Sequence, residues 1–199
     1  MGSAFISYRR NETAGEARAL FKDLSATLGG DSVFMDVDAI ALGRDFREAM
    51  RERLASCDIM LTLIGKDWVG ITDASGRKRL ADPDDFVRLE IEAALKRGIP
   101  VIPVLVQGAE MPSLDELPPE IRNFAFRNAF ELSHTRWESD VHELIRRLAL
   151  DRQSGERSAS GGSKLGGSSS AIRLPMKCGH RTGEAGRTTS ERSSLRTNP

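Results

Sequence analysis

The amino-acid sequence predicts an α/β fold, a five-stranded parallel sheet with helices packed on both faces. Three observations lead there. Short apolar runs alternate with amphipathic stretches up to about Leu150. The central run, Ile59 to Ile64, reads apolar without alternation, as a strand buried on both faces should. Capping residues open the stretches between the runs, and glycines close several of them.

Taken in order, Ala4-Phe5-Ile6-Ser7 is the first strand. Thr13-Ala14-Gly15-Glu16 reads as a capping box that opens a helix through Leu20 and Leu24 to Leu28, stopped by Gly29-Gly30. Ser32 to Met35 is the second strand, and Asp36 to Gly43 the loop after it. Asp45 caps the next helix, which places Phe46, Ala49, Met50 and Leu54 on one face. After the third strand, a polar stretch runs from Gly65 to Leu80. Asp82 then caps a helix with Pro83 at its first position, and Gly98 ends it. Val101 to Val106 is the fourth strand, and a connection marked by Pro112 and Pro119 leads through a short helix to a fifth, Ala129 to Leu132. Thr135 to Glu138 opens the last helix, with Val141, Leu144, Ile145 and Leu148 toward the core. No internal repeat interrupts this order.

Composition divides the chain. Its 29 basic and 29 acidic residues balance overall. From Ser154 onward there are eight basic and three acidic residues among ten serines and eight glycines, which leaves 21 basic against 26 acidic upstream. A domain over 1–152 and a disordered Ser/Gly/Arg-rich tail over 153–199 are expected, because the tail has too little apolar surface to offset chain entropy. An acidic domain argues against nucleic-acid binding, and the tail's arginines lack interleaved aromatics. Two cysteines, Cys57 and Cys178, fall one in each part, which favours a reducing compartment over a disulfide framework. No apolar run approaches the roughly 20 residues of a membrane span. The strand at the very start predicts no signal peptide, and Ile6 breaks the myristoylation pattern. A soluble cytoplasmic protein is expected.

In such a sheet, ligands bind at the carboxyl ends of the strands. Tyr8-Arg9-Arg10-Asn11 follows the first strand, where a Rossmann dehydrogenase or a P-loop protein would carry its glycine-rich phosphate cradle. A tightly held dinucleotide cofactor is therefore disfavoured. Two readings of Arg9 and Arg10 stand: a solvated basic turn, or a pair gripping a pyrophosphate. Glu90 lies four positions after Phe86 and four before Ala94, so the three share a helix face. Either it points outward at the helix edge, as Glu92 is expected to, or it is a carboxylate set among apolar neighbours.

Phe5-Ile6-Ser7-Tyr8-Arg9-Arg10 resembles the first box of Toll/interleukin-1 receptor (TIR) domains. Val33-Phe34-Met35-Asp36-Val37, closed by Gly43, is similar to the second box and its BB loop. Asp85 to Ile91 with Ala93-Ala94-Leu95, and then Ile99 to Pro103, resembles the catalytic helix and fourth strand of the enzymatic, bacterial and animal-neuronal branch. The likeness runs from about Ala4 to Leu150. It implies a flavodoxin-like three-layer sandwich with strand order 2-1-3-4-5. It further implies an NAD+ glycohydrolase in which Glu90 is catalytic and Tyr8, Arg9, Arg10, Asp36, Gly43 and Phe86 meet the substrate. NAD+ would be substrate, with no cofactor and no metal. Partners would be other TIR domains, through the BB loop, in a homo-oligomer serving signal transduction, innate immunity or antiviral defence. Two departures are visible: Phe86 stands where Trp is common, and Ala41 where a glutamate occurs.

One carboxylate suits that chemistry. Ordinary glycosides need a second carboxyl to protonate the leaving oxygen. Nicotinamide leaves NAD+ as a neutral molecule, so one anion facing the developing oxocarbenium charge suffices, and Phe86 would cover the departing ring. A non-catalytic adaptor working through TIR–TIR association is the alternative. A phosphoacceptor receiver domain is disfavoured, because Tyr8-Arg9-Arg10 has the wrong charge for a magnesium pocket. Elsewhere, Cys57 reads as a small buried hydrophobe, Trp137 as a core anchor and Arg77-Lys78-Arg79 as a solvated turn. Trp68 reads either as a pocket wall or as cover for the core edge. His134, His142 and His180 lack metal-ligand spacing.

Overall fold

The structure, a computed structural model, describes residues 2–35 and 45–159, with the backbone alone at 46 and 150–159. All of them belong to the compact unit Met1–Gly161. The loop 36–43 and most of the expected tail lie outside the described residues.

Five parallel strands form one sheet in the order β2-β1-β3-β4-β5, comprising Ala4–Ser7 (β1), Val33–Met35 (β2), Ile59–Ile64 (β3), Val101–Leu105 (β4) and Phe130–Glu131 (β5). This is the flavodoxin-like arrangement expected. Every residue of β1 and β3 is buried, which is why neither shows the polar alternation of a half-exposed strand. β5 is shorter than the sequence predicts. As an edge strand it pairs only with β4, at Val104↔Phe130 and Leu105↔Glu131.

Among the described residues, four α-helices cover the sheet. Arg10–Leu28 (α1) and Trp137–Ala159 (α4) send Ala17, Leu20, Leu24, Val141, Leu144 and Leu148 into one core. Phe46–Ala55 (α2) and Phe86–Lys96 (α3) send Met50, Leu54, Val87, Ile91 and Ala94 into the other. Strand residues alternate between the two cores: Ala4 and Ile6 face the first, and Phe5 faces the second. Trp137 anchors α4, its indole nitrogen donating to Asp23 Oδ2 at 2.8 Å. No helix among the described residues is long and apolar enough to cross a membrane.

Two helix starts differ from the sequence reading. α1 begins at Arg10, and Thr13 is a kink (φ −117°, ψ 23°) inside it. The Arg9 carbonyl accepts from the Glu12 and Thr13 amides and so starts the helix one turn early. α3 is capped by Asp85, whose side chain accepts from the Arg88 amide at 3.1 Å. Asp82 instead folds a local turn, accepting from the Asp84 amide at 2.9 Å. Asp45 does cap α2, at 2.7 Å from the Arg47 amide.

Leu61 is fully buried in the middle of the central strand. Leu61→Ala is expected to cost about 2–5 kcal/mol, lost transfer energy plus an uncollapsed cavity. Urea unfolding should show this as a lower midpoint at unchanged slope.

Candidate functional site at the carboxyl edge of β1 and β3

The carboxyl end of β1 carries three consecutive side chains that divide between the two faces of the sheet. Ser7 and Arg9 turn toward α3, while Tyr8 packs into the core under α1 and α4. Ser7 Oγ donates to Glu90 Oε2 at 2.6 Å, with Ser7 1% and Glu90 3% exposed. Of the two sequence readings of Glu90, the structure therefore takes the buried one. Its carboxylate faces inward from the second turn of α3, against the end of the sheet. Phe86, one helical turn earlier at the mouth of α3, is 49% exposed. Thr62 sits beside Ser7 in the β1–β3 register, and its hydroxyl is buried with no hydrogen-bond partner among the described residues.

Arg9 and Arg10, treated as a pair in the sequence, separate. Arg10 is exposed at the first position of α1. Arg9 is 3% exposed and forks onto Asp85, Nη1 to Oδ2 at 2.9 Å and Nη2 to Oδ1 at 3.0 Å. It is thus neither a solvated turn residue nor a guanidinium with its fork open to solvent. Its Cζ also lies 5.7 Å from the centroid of Trp68, whose ring is in turn 6.0 Å from that of Phe124. Trp68 is 1% exposed, so it covers the core and underlies Arg9. Arg79, expected in a solvated turn, reaches back to Asp85 Oδ2 at 3.4 Å. Asp36 and Gly43 lie outside the described residues.

Glu12 and Gly65 complete this edge. Glu12 Oε1 accepts from the Asp67 amide at 2.7 Å, and burial pushes the carboxyl up from its ordinary range. The approach needs a glycine, since a Cβ at Gly65 would lie 2.5 Å from the Glu12 carboxyl carbon. Sequence reasoning missed Ser7, Glu12 and Asp85, because each acts through a partner more than 50 residues away.

Other features lie apart. A cavity of about 490 Å³ opens at the opposite end of the sheet, against Ile59, Val101, Phe130 and Arg147. A second, of about 250 Å³, lies between α2 and α3 beside Arg47, Arg51 and Lys96. No group of three or more His, Cys, Asp or Glu side chains among the described residues is arranged to hold a metal ion. Glu92, partly buried, pairs with Lys96.

The 2-1-3-4-5 sheet, with a buried carboxylate at its carboxyl edge, makes this a flavodoxin-like α/β module. The family model for the TIR domain matches residues 4–145, and the chain belongs to that family. Among particular relatives it is similar to the NAD(+) hydrolase sarm1 of Drosophila melanogaster, 27% identical over 146 residues. That match takes in 72% of this chain and 10% of the relative, so the chain spans about a tenth of that protein's length. The TIR domains of the activated Roq1 resistosome, solved recognizing the pathogen effector XopQ, share the fold. Their TM-score is 0.52 at 13% identity, over 76% of this chain and 99% of theirs. A metazoan TIR-STING receptor from C. gigas scores 0.45 at 15% identity, over 71% of this chain and 39% of that one.

Cys57 is buried beside α2, its Sγ donating to the Arg53 carbonyl at 3.2 Å, and burial pushes the thiol up to about 11. A thiol raised from 9 favours the native state below pH 9, and that contribution is lost as pH rises through 11. In a Cys178→Ser background, Cys57 should resist a thiol reagent at pH 8 and react promptly in urea. Equal labelling rates in both conditions would contradict the burial.

Proposed function

We propose that this domain cleaves the nicotinamide–ribose bond of NAD+, and that Glu90 is its catalytic residue. The observation that carries the reading is the Glu90 carboxylate, buried at the carboxyl edge of the sheet and held by Ser7 at 2.6 Å. Family membership and the likeness to an NAD(+) hydrolase support it.

The chemistry follows from what this site offers. NAD+ enters as substrate rather than as a resident cofactor. As the C1′–N bond breaks, its electron pair returns to the pyridinium nitrogen, and nicotinamide departs neutral without a general acid. Positive charge grows on the ribose, and a fixed carboxylate in a partly dry site stabilises that charge far better than one in water. Ser7 holds the carboxylate in place, so little reorganisation remains to be done during reaction. Water then adds at C1′ and releases a proton, giving ADP-ribose; attack by a ring nitrogen of the adenine gives a cyclic isomer instead. Phe86, half-exposed one turn away, would cover the nicotinamide, and Arg10 would meet the phosphates.

The proposal extends to assembly. Asp36 and Gly43 in the BB loop would pack on a neighbouring copy and complete the substrate site, so that clustering activates the enzyme. The setting would be cytoplasmic, in signalling or an immune or stress response. A non-catalytic adaptor is the second reading. The engagement of Arg9 by Asp85 favours it, since one guanidinium expected on the substrate is occupied inside the protein.

NAD+ incubated with concentrated protein clustered on beads, followed by chromatography, tests both readings. Wild type should release nicotinamide, and Glu90→Gln should lose at least about 100-fold, the scale of one preorganised electrostatic contact. Equal conversion by the two would remove Glu90 from the mechanism. Conversion by neither would favour the adaptor.

A further inference from the structure

We propose that Arg9 is a positioning residue: paired with Asp85, it sets the height and rotation of α3 and thereby aims Glu90, without touching substrate. This rests on the proposed reaction at Glu90. The Asp85 carboxylate collects four contacts. Asp85 Oδ1 accepts from the Arg88 amide, which starts α3, and from Arg9 Nη2. Asp85 Oδ2 accepts from Arg9 Nη1 and lies 3.4 Å from Arg79 Nε. The cap of the helix is therefore fastened to the residue two places beyond the end of β1.

The second fastening is Ser7 to Glu90. Ser7 and Arg9 project the same way from an extended backbone, and Arg9 itself is extended at φ −95° and ψ 117°. β1 thus grips α3 at two points, Asp85 at the cap and Glu90 five positions on, about 7–8 Å along the axis at 1.5 Å per residue. Two points fix both the height of the helix and its rotation; one leaves rotation free. A helix with its side chains is about 10–12 Å across, so a turn of ~10° moves a side-chain tip by ~1 Å. A displacement of that size at a reacting centre costs about 100-fold in rate.

The alternative role, an arm gripping pyrophosphate, does not fit Arg9. Both of its terminal nitrogens are used in the bidentate pair, which is the strong geometry for guanidinium and carboxylate. Its plane is near Trp68, and it is 3% exposed. To reach a phosphate it would have to give up both bonds of that pair and leave the buried Asp85 carboxylate to Arg79, at 3.4 Å.

The test compares Arg9→Lys, Asp85→Asn and the double variant in nicotinamide release by the bead-clustered full chain. Asn retains the helix cap and removes the charge. Each single variant should lower kcat by about tenfold or more with KM within about twofold, and the double should be no worse than the poorer single, as for residues acting as a unit. A raised KM with unchanged kcat in Arg9→Lys, while Asp85→Asn behaves as wild type, would overturn the proposal. Glu90→Gln runs alongside: full activity there refutes the reaction proposed at Glu90, whatever Arg9 does. Amide hydrogen exchange of Val87 to Ile91 is read in parallel and needs no turnover. Faster exchange in both singles supports the clasp, and unchanged exchange overturns it. If Arg9→Lys does not fold, Asp85→Ser, which also retains the cap, takes its place in both measurements.

Discussion

One buried carboxylate, that of Asp85, joins three parts of the chain. It starts α3, it receives the fork of Arg9 from the end of β1, and it draws in Arg79 from the turn before the helix. Desolvating such a pair is costly, and attraction alone repays the cost only with good geometry and further hydrogen bonds. Here the geometry is bidentate, and the Arg88 amide supplies an additional bond. The remaining guanidinium face lies near Trp68, where a cation above an aromatic ring is attracted to it. Breaking such a buried pair by removing one partner costs about 3–5 kcal/mol, and with Arg9 removed Asp85 would be left with Arg79, at 3.4 Å. The arrangement therefore holds as a unit.

The position of Glu90 follows from that constraint. A glutamate in the second turn of a half-covered helix normally turns to solvent, because ionised side chains are seldom buried without a partner. In this fold the cap of the helix is held against the end of β1 at Asp85, and the bond from Ser7 to Glu90 is the second hold that sets its rotation. Ser7, alone among the β1 side chains in carrying a hydroxyl, stands at the point where the carboxylate arrives. The polar cluster of Ser7, Arg9, Asp85 and Glu90 is thereby built on the face of the sheet otherwise given to Phe5, Met60 and Ile64. Polar residues at a strand end on a buried face are a departure from core packing, and such departures concentrate at functional sites.

The helix starts show how far local patterns carry. Asp82 followed by Pro83 satisfies the usual N-terminal signature, and Asp85 three places later satisfies the capping part of it as well. Local chemistry does not choose between them. The choice falls on Asp85 because Arg9 waits there, while Asp82 makes a turn with its own neighbour. At Thr13 the same ambiguity resolves the other way: the box is present in sequence, yet the helix begins at Arg10 because the Arg9 carbonyl is already placed to accept the first amides. Arg9 and Arg10 are alike in sequence and opposite in place. Arg9, still extended, turns in to the buried Asp85, while Arg10 is already the first, exposed residue of α1.

From the sequence by itself came the sheet of five strands, the helices on both its faces, and the family boxes that single out Glu90. Those are properties of short windows: apolar runs for buried strands, 3.6-residue spacing for helix faces, glycine and aspartate at ends. That Ser7 meets Glu90 and Arg9 meets Asp85 was decided only by the tertiary structure. Their contacts link residues 76 and 83 positions apart. A hydrogen bond across such a distance leaves no periodicity in the chain, and it exists only once two backbones have been brought to within a side chain's reach.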